Sequence, residues 1–140
     1  MKRIAICGSM TAWREMVDVA YMLRERGYEV LLPEGTEEFA SGARSDEAPG
    51  ESVANKQNGD LIRAYYEEIK MSDAVLIVNV PKHGRDGYIG GNVFLEFAFG
   101  HVLGKSVYLL YDFDHESAYA DEMEAMRPVI LDGDFSLITI

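Results

Sequence analysis

The sequence predicts an α/β fold with an open parallel sheet and helices on both faces, and two observations lead to this prediction. Short apolar runs alternate along the chain with segments whose apolar residues recur at helical spacing. One run, Ala74 to Val80, is continuous and rich in β-branched residues, which is typical of a central parallel strand buried on both faces. Right-handed crossovers between such units place helices on both sides of the sheet.

The first strand and helix begin this alternation. The apolar run Ile4 to Cys7 predicts a strand, and apolar residues then recur at helical spacing from Trp13 to Leu23. Thr11 is expected to cap this helix by accepting a backbone hydrogen bond, and Gly27 to close it in a left-handed conformation. A second strand is expected from Tyr28 to Pro33, where it ends because proline has no N–H to donate.

The stretch 34–57 has no sustained apolar period and predicts a long loop, with room for a short helix at 36–40. Besides three glycines and one proline, it holds six acidic residues: Glu34, Glu37, Glu38, Asp46, Glu47 and Glu51. With few apolar anchors, little burial offsets the entropy lost on ordering. We therefore expect a mobile lid that closes over a cleft, and a disordered insertion without function is the alternative.

The rest of the chain continues the alternation. Helices are expected from about Asn58 to Met71, Asn92 to Leu103 and Tyr119 to Met126, and strands at 106–111 and 128–131, with 135–140 as an added edge strand. The helix starting near Asn92 is apolar almost all round, so we expect it to be buried. The pattern predicts a single domain over 1–140, a three-layer flavodoxin-like or Rossmann-like sheet of about five strands.

The composition and charge of the chain limit the classes of partner that it can bind. The 140 residues are 48% hydrophobic and 11% aromatic, enough for a sizeable core, and carry a formal net charge of −11. Such a charge disfavours nucleic-acid polymers and anionic membrane surfaces. A single cysteine forms no internal disulfide or cysteine metal cluster, and no apolar run is long enough for a membrane span. We expect a cytoplasmic protein that needs neither metal nor cofactor.

Ligands of open α/β sheets bind beyond the carboxyl ends of the strands, where the strand order switches. This rule selects the segments Gly8 to Thr11, Pro81 to Asn92 and Tyr111 to His115. Gly8 and Ser9 open a helix whose N–H groups suit an anion or sugar hydroxyls. The segment has no dinucleotide fingerprint and no P-loop, and a plain strand-to-helix turn is the alternative.

The segment Pro81 to Asn92 is the most informative part of the chain. Its four glycines permit close approach of the backbone to a ligand. Lys82, His83 and Arg85 add local positive charge to an acidic protein. We interpret this segment as a binding loop, and a flexible solvated loop is the alternative.

Glu96 is a carboxylate in an otherwise apolar helix. Its desolvation is costly unless it meets a partner or a ligand, so we expect it to line a cleft. Near a helix N-terminus it would stay ionised and could act as a nucleophile. A structural glutamate bonded to backbone or to a neighbouring subunit is the alternative. Cys7 is most simply a small buried hydrophobe, and His101 is assigned no role.

Four motifs occur in order along nearly the whole chain. They are Ile6-Cys7-Gly8-Ser9 with Arg14 following, Ser72-Asp73-Ala74-Val75, Gly90-Gly91-Asn92-Val93-Phe94-Leu95-Glu96 and Gly104-Lys105-Ser106-Val107. In this order and spacing they resemble the nucleoside 2-deoxyribosyltransferase superfamily, which also contains the 2′-deoxynucleoside 5′-phosphate N-hydrolases. The resemblance implies that a helix glutamate attacks the anomeric carbon, the base leaves, and water or another base resolves the glycosyl-enzyme.

Under this resemblance Glu96 matches the nucleophile, and Tyr65 or Asp86 assists the leaving base. Substrate binding is expected at the first turn and at the glycine loop, which give the set Gly8, Ser9, Met10, Arg14, Gly90, Gly91 and Asn92. The substrate would be a small-molecule nucleoside or nucleotide. Such proteins commonly complete the site with a neighbouring subunit, so we expect a symmetric homodimer or a larger homo-oligomer.

The chain departs from the superfamily pattern at three positions, which keeps a second hypothesis open. Tyr65 stands where relatives often have an aspartate, eight residues before Asp73, and Gly90 stands where they have a second acidic residue. Thr11 replaces an arginine of the phosphate-selective relatives. Loss of general acid–base groups typically costs about 10²–10⁴-fold in rate. The alternative is a nucleotide-binding or sensing module without turnover; NAD cleavage is a third possibility that no feature selects.

Overall fold

The computed structural model describes residues 1–41 and 60–140. These residues form five strands: β1 (Arg3–Cys7), β2 (Glu29–Leu31), β3 (Ala74–Ile77), β4 (Ser106–Leu109) and β5 (Val129–Ile130). They also form the helices α1 (Trp13–Glu25), α2 (Thr36–Ser41), α3 (Leu61–Lys70), α4 (Gly91–Val102) and α5 (Ala120–Ala125), with 3-10 helices at Met10–Ala12 and Phe135–Leu137. In this part of the chain, none of the helices has the length and apolar character needed to cross a membrane.

All neighbouring strands of the sheet are parallel, in the order β2-β1-β3-β4-β5. Cys7 lies opposite Ile77, and Ile77 opposite Leu109, so the three central strands end level with one another. The strand order switches between β1 and β3, because the chain leaves β1 towards one edge and β3 towards the other. This topology confirms the predicted flavodoxin-like open sheet.

The two faces of the sheet are covered by different helices. Consecutive strand residues point to opposite faces, so Ile4 and Ile6 contact one layer while Ala5 and Cys7 contact the other. The first layer consists of α1 and the C-terminal segment, whose Phe135 and Ile138 are buried there. The second layer is formed by α3, α4 and α5. This arrangement is the predicted three-layer architecture.

Helix α4 is only partly buried, which corrects the prediction from its apolar sequence. Val93, Phe97 and Gly100 face the core, whereas Leu95 is 40% and Val102 78% exposed. An apolar helix thus covers the sheet with one side and presents apolar residues on the other. This exposed side supports the expectation of a homo-oligomer, which stays a prediction.

The prediction of an edge strand at 135–140 is wrong. The carboxylate of Asp134 accepts hydrogen bonds from the backbone N–H and hydroxyl of Ser136, at 3.0 and 2.6 Å, and so begins a 3-10 helix. The following segment is tied to the sheet by a side chain, since the N–H of Thr139 donates to the Tyr108 hydroxyl at 3.1 Å. A local turn and the burial of Phe135 therefore prevail over the alternating pattern.

The caps of α1 differ in part from expectation. Thr11 does not cap α1, whose N-cap residue Ala12 makes no side-chain hydrogen bond. The Ser9 hydroxyl oxygen instead accepts from the Thr11 N–H at 3.4 Å and caps the 3-10 turn that precedes α1. Gly27 has a φ of +91° and ends the helix as predicted. The expected short helix at 36–40 is present as α2. Residues 42–59, and with them most of the predicted lid, lie outside the described residues.

The segment between β3 and α4 is held by the segment that follows β4. Arg85 forms an ion pair with Asp114, and the Asp114 N–H donates to the Gly87 carbonyl at 3.2 Å. Gly87 has a φ of +67°, and a Cβ at this position would lie 2.0 Å from the Asp112 carbonyl oxygen. The Tyr119 hydroxyl donates to the Ile89 carbonyl. These contacts indicate an anchored loop and not the flexible, solvated alternative.

The close contact at Gly87 gives a stability prediction. Gly84→Ala is the matched control, because Gly84 has a φ of +70° but no neighbour within 4 Å of its missing Cβ. It should cost about 1–2 kcal/mol through backbone conformation alone. Gly87→Ala should cost about 1–3 kcal/mol more, because the new Cβ meets a backbone carbonyl. Chemical denaturation measures both, and equal losses would contradict the clamped geometry.

Candidate active site

A cavity of about 560 Å³ lies beyond the carboxyl ends of β1 and β3, at the switch in strand order. Its walls come from the turn after β1, the end of β2, helix α3, the loop after β3 and the first turns of α4. The position agrees with the rule that selected these segments from the sequence.

Close packing at Gly8 brings β1 and β3 together at the floor of this cavity. A Cβ on Gly8 would lie 2.8 Å from the Met16 sulfur and 3.3 Å from the Val78 carbonyl oxygen. The Val78 N–H donates to the Cys7 carbonyl at 2.8 Å, which extends the β1–β3 ladder beyond Ile77. A side chain at Gly8 would have to displace Met16, so glycine is favoured where the chain turns away from β1 across the end of β3.

Glu96 lies in the second turn of α4 and is 8% exposed, the only charged side chain buried among the described residues. Val93 and Phe97 on the same side of α4 pack into the apolar cluster that contains Cys7 and Tyr65. Glu96 lines the cavity. The carboxylate thus stands between an apolar layer and an open cleft.

The charge of Glu96 acts on two buried weak acids, Cys7 and Tyr65. Burial, followed by the charge of Glu96, raises the pKa of the Cys7 thiol well above its usual range. Burial also raises the pKa of the Tyr65 phenol well above its usual range, with the charges of Cys7 and Glu96 adding to the effect. The Tyr65 hydroxyl donates to the Ile6 carbonyl. Both groups therefore retain their protons at neutral pH.

A polar cluster stands at the other end of the cavity, at the start of α1. The ammonium group of Lys82 donates to the Ser9 hydroxyl at 3.0 Å, and that hydroxyl lies 2.9 Å from the Thr11 hydroxyl. Ser9 comes from the turn after β1 and Lys82 from the loop after β3. The cluster links the turn after β1 to the loop after β3, and it combines a cation with two hydroxyl groups.

The structure brings most of the residues selected from the sequence to this cavity. Its lining includes Gly8, Ser9, Met10, Tyr65, Gly90, Gly91, Asn92 and Glu96. Arg14 and Asp86 are not among the lining residues. The Arg14 guanidinium lies 4.5 Å from the centre of the Trp13 ring, and Asp86 is exposed on the loop.

Several lining residues are not among the catalytic and substrate-binding residues expected from the sequence, although Lys82 and Tyr88 lie in the predicted binding loop: Glu34, Glu68, Asn79, Lys82 and Tyr88. The charge of Lys82 was visible, but its contact with Ser9, 73 residues away, was not. Asn79 was visible as one polar residue in an apolar strand. Its buried amide accepts from the Tyr111 N–H at 3.0 Å and donates to the Tyr111 carbonyl at 2.7 Å. No group of three or more metal-ligating side chains occurs in 1–41 or 60–140.

The fold and site define an open α/β protein with a buried carboxylate in a cleft at the topological switch. No protein-family model and no curated protein matches the chain. Among solved structures, the chain is similar to the CMP N-glycosidase BcmB of Clostridium botulinum, with a TM-score of 0.52 and 17% identity over 92% of this chain and 88% of that one. The likeness confirms the fold that the resemblance implied.

The raised pKa values of Cys7 and Tyr65 predict a pH effect on stability. Both groups ionise more readily in the unfolded chain, so their contribution is complete below their unfolded pKa values and is lost as the pH rises beyond them. The free energy of unfolding should fall above about pH 8.5, by up to about 1.4 kcal/mol per pH unit for each group.

Tyr65→Phe should reduce this slope above about pH 10, where the unfolded phenol ionises. Tyr21→Phe is the control, because Tyr21 is 65% exposed on α1. Urea denaturation across this pH range measures the slopes. If Tyr65→Phe and Tyr21→Phe have the same slope, the burial of the Tyr65 phenol does not contribute.

Proposed function

We propose that the protein cleaves or transfers the N-glycosidic bond of a nucleotide, with Glu96 as nucleophile. The observation that carries this proposal is the burial of a single carboxylate against the cavity at the topological switch. The similarity of the fold to a CMP N-glycosidase supports the same class of reaction.

In this mechanism a carboxylate oxygen of Glu96 attacks the anomeric carbon of the sugar. The bond from that carbon to the base nitrogen breaks, and a glycosyl ester forms on Glu96. Water or a second base then attacks the same carbon and frees the carboxylate. The apolar cluster beneath Glu96 excludes water from one side, so that the cleft alone supplies the reactants.

The leaving base gains a hydrogen bond or a proton as it departs. Of the two residues considered for this role, Tyr65 lines the cavity and Asp86 does not. We therefore assign assistance of the leaving base to Tyr65, whose raised pKa keeps its hydroxyl protonated as a donor. To reach a base, this hydroxyl has to exchange its bond with the Ile6 carbonyl for one with the ligand.

The polar cluster of Lys82, Ser9 and Thr11 favours a nucleotide over a nucleoside. A cation and two hydroxyl groups beside the start of a helix match the charge and the acceptors of a phosphate monoester. Gly90, Gly91 and Asn92, at the start of α4, provide backbone N–H groups for the sugar. The charge of Lys82 thus replaces that of the arginine which phosphate-selective relatives carry at the position of Thr11.

Replacement of Glu96 tests the reaction. Glu96→Gln keeps the size of the side chain but removes the nucleophile, so release of base should fall by at least about 10³-fold. A panel of ribo- and deoxynucleoside monophosphates, with and without an acceptor base, is followed by chromatography. Glu68→Gln is the matched control, since Glu68 is an exposed carboxylate at the cavity wall. Full activity in Glu96→Gln would exclude this mechanism.

Replacement of Lys82 tests the phosphate site. Lys82→Met should raise KM for a nucleoside monophosphate by about 10–100-fold, because a charge-assisted hydrogen bond is lost, and should leave turnover of the nucleoside nearly unchanged. Lys105→Met makes the same change of charge beyond the opposite end of the sheet, before β4. Equal KM values for the nucleotide in Lys82→Met and Lys105→Met would show that Lys82 does not contact phosphate.

One observation favours the second candidate, a nucleotide-binding module without turnover. The Tyr65 hydroxyl is already bonded to the Ile6 carbonyl, at a position where relatives carry a carboxylate. In the same panel, thermal stabilisation by a nucleotide without release of base would support this module over the enzyme.

A further inference from the structure

Tyr88 lines the cavity, but the mechanism proposed above gives it no role. It lies in the loop before α4, and its side chain is half-buried. The hydroxyl groups of Tyr65 and Tyr119 each donate to a backbone carbonyl. The Tyr88 hydroxyl, in contrast, makes no hydrogen bond among the described residues. It is therefore available to a ligand in the cavity.

The ring of Tyr88 is held by the loop that carries it. Lys82 and Arg85 exchange two backbone hydrogen bonds, of 3.1 and 3.0 Å, around a turn whose central residues His83 and Gly84 both have a positive φ. This turn brings the His83 ring edge-on to the Tyr88 ring, with the ring centres 5.1 Å apart and the planes at 81°. The Tyr88 ring thus has a packing partner on its own loop, which limits its rotation.

The hydroxyl end of this ring lies against Gly90, the N-cap residue of α4. A Cβ on Gly90 would lie 3.5 Å from the Cε1 atom of Tyr88 and 3.7 Å from its hydroxyl oxygen. Because Gly90 has no side chain, the space beside the hydroxyl stays open. A Cβ on Gly91 would meet none of the described residues within 4 Å. The Tyr88 hydroxyl therefore borders open cavity at the start of α4.

Glu96 borders the same part of the cavity from the second turn of α4. Helical side chains lean towards the N-terminus of their helix, so Glu96 covers the turn nearer to Gly90. The hydroxyl groups of a pentose lie on the two carbons that follow the anomeric carbon. A pentose whose anomeric carbon is at Glu96 can thus bring a hydroxyl group to Tyr88.

We propose that Tyr88 is a specificity-determining residue, whose hydroxyl forms a hydrogen bond with a hydroxyl group of the sugar. This inference rests on the proposed function. A phenol and a sugar hydroxyl suit each other because both can donate and accept. The backbone N–H groups at the start of α4 can only donate, whereas the Tyr88 oxygen can also accept the proton of the sugar hydroxyl. The protein therefore distinguishes a sugar that carries this hydroxyl from one that lacks it.

A cycle of changes in protein and substrate tests this bond. Tyr88→Phe removes the hydroxyl and keeps the ring that packs on His83. The nucleoside monophosphate that is cleaved fastest in the panel is compared with its 2′-deoxy and 3′-deoxy forms. The intrinsic reactivity of each substrate is the same for both proteins, so it cancels when their kcat/KM ratios are compared.

For one of the two deoxy forms, Tyr88→Phe should reduce the preference for the hydroxylated substrate by about 3–10-fold, the effect of one neutral hydrogen bond. The form that responds identifies the sugar hydroxyl that Tyr88 binds. Tyr21→Phe is the control, because it removes a phenol that is 65% exposed on α1, and it should leave both preferences unchanged. Preferences that are unchanged in Tyr88→Phe for both deoxy forms would overturn the proposal.

Calorimetry with ribose 5-phosphate tests the same bond without turnover. Tyr88→Phe should bind this sugar phosphate about 3–10-fold more weakly than the parent protein and Tyr21→Phe do. Equal affinities would overturn the proposal, and so would a parent protein that does not bind ribose 5-phosphate at millimolar concentration. If the parent protein releases no base from any nucleotide, the proposed function fails, and calorimetry still decides whether the Tyr88 hydroxyl binds the sugar.

Discussion

The burial of one carboxylate is the constraint on which the cleft depends. Removing Glu96 from water costs several kcal/mol unless neighbouring groups compensate. Cys7, the last residue of β1, faces the same layer as α4, and the charge of Glu96 acts on its buried thiol. Gly8 follows at once, and its lack of a side chain lets the turn pack closely against Met16 and the Val78 carbonyl. The end of β1, the turn and α4 are therefore required together.

Most of the fold could be predicted from the sequence. Buried parallel strands appear in it as continuous apolar runs, and the helices that connect them appear as segments whose apolar residues recur at helical spacing. The errors occur where a local bond or a longer side chain outweighs the pattern. The alternation of 135–140 resembles an edge strand, but Asp134 begins a turn there. Strand β3 ends at Ile77, three residues before the end of its apolar run, because Asn79 continues the pairing through its side chain.

The candidate site divides in the same way. Glu96 could be predicted from the sequence because it is a charged residue in an apolar helix. The first turn could be predicted because a glycine follows the end of an apolar strand. The pairing of Lys82 with Ser9 could not, since it depends on how two loops approach across the sheet. Arg14 and Asp86 have the right position in the chain, but position does not determine where a side chain points. Arg14 stacks on Trp13 and Asp86 faces solvent.

Asn79 has a consequence for the shape of the cleft. Its amide takes the place of a peptide group and makes both bonds to Tyr111, so β3 and β4 separate beyond Ile77 and Leu109 without leaving these backbone groups unpaired. The side-chain amide of Asn79 spans the gap between the two strands, and its hydrogen bonds are made before any ligand arrives. The segment that follows Tyr111 also contacts Gly87, so it holds both the end of β3 and the loop that leads to α4. Asn79 lines the cavity, so this part of its wall is ordered in advance and a ligand spends no binding energy on ordering it.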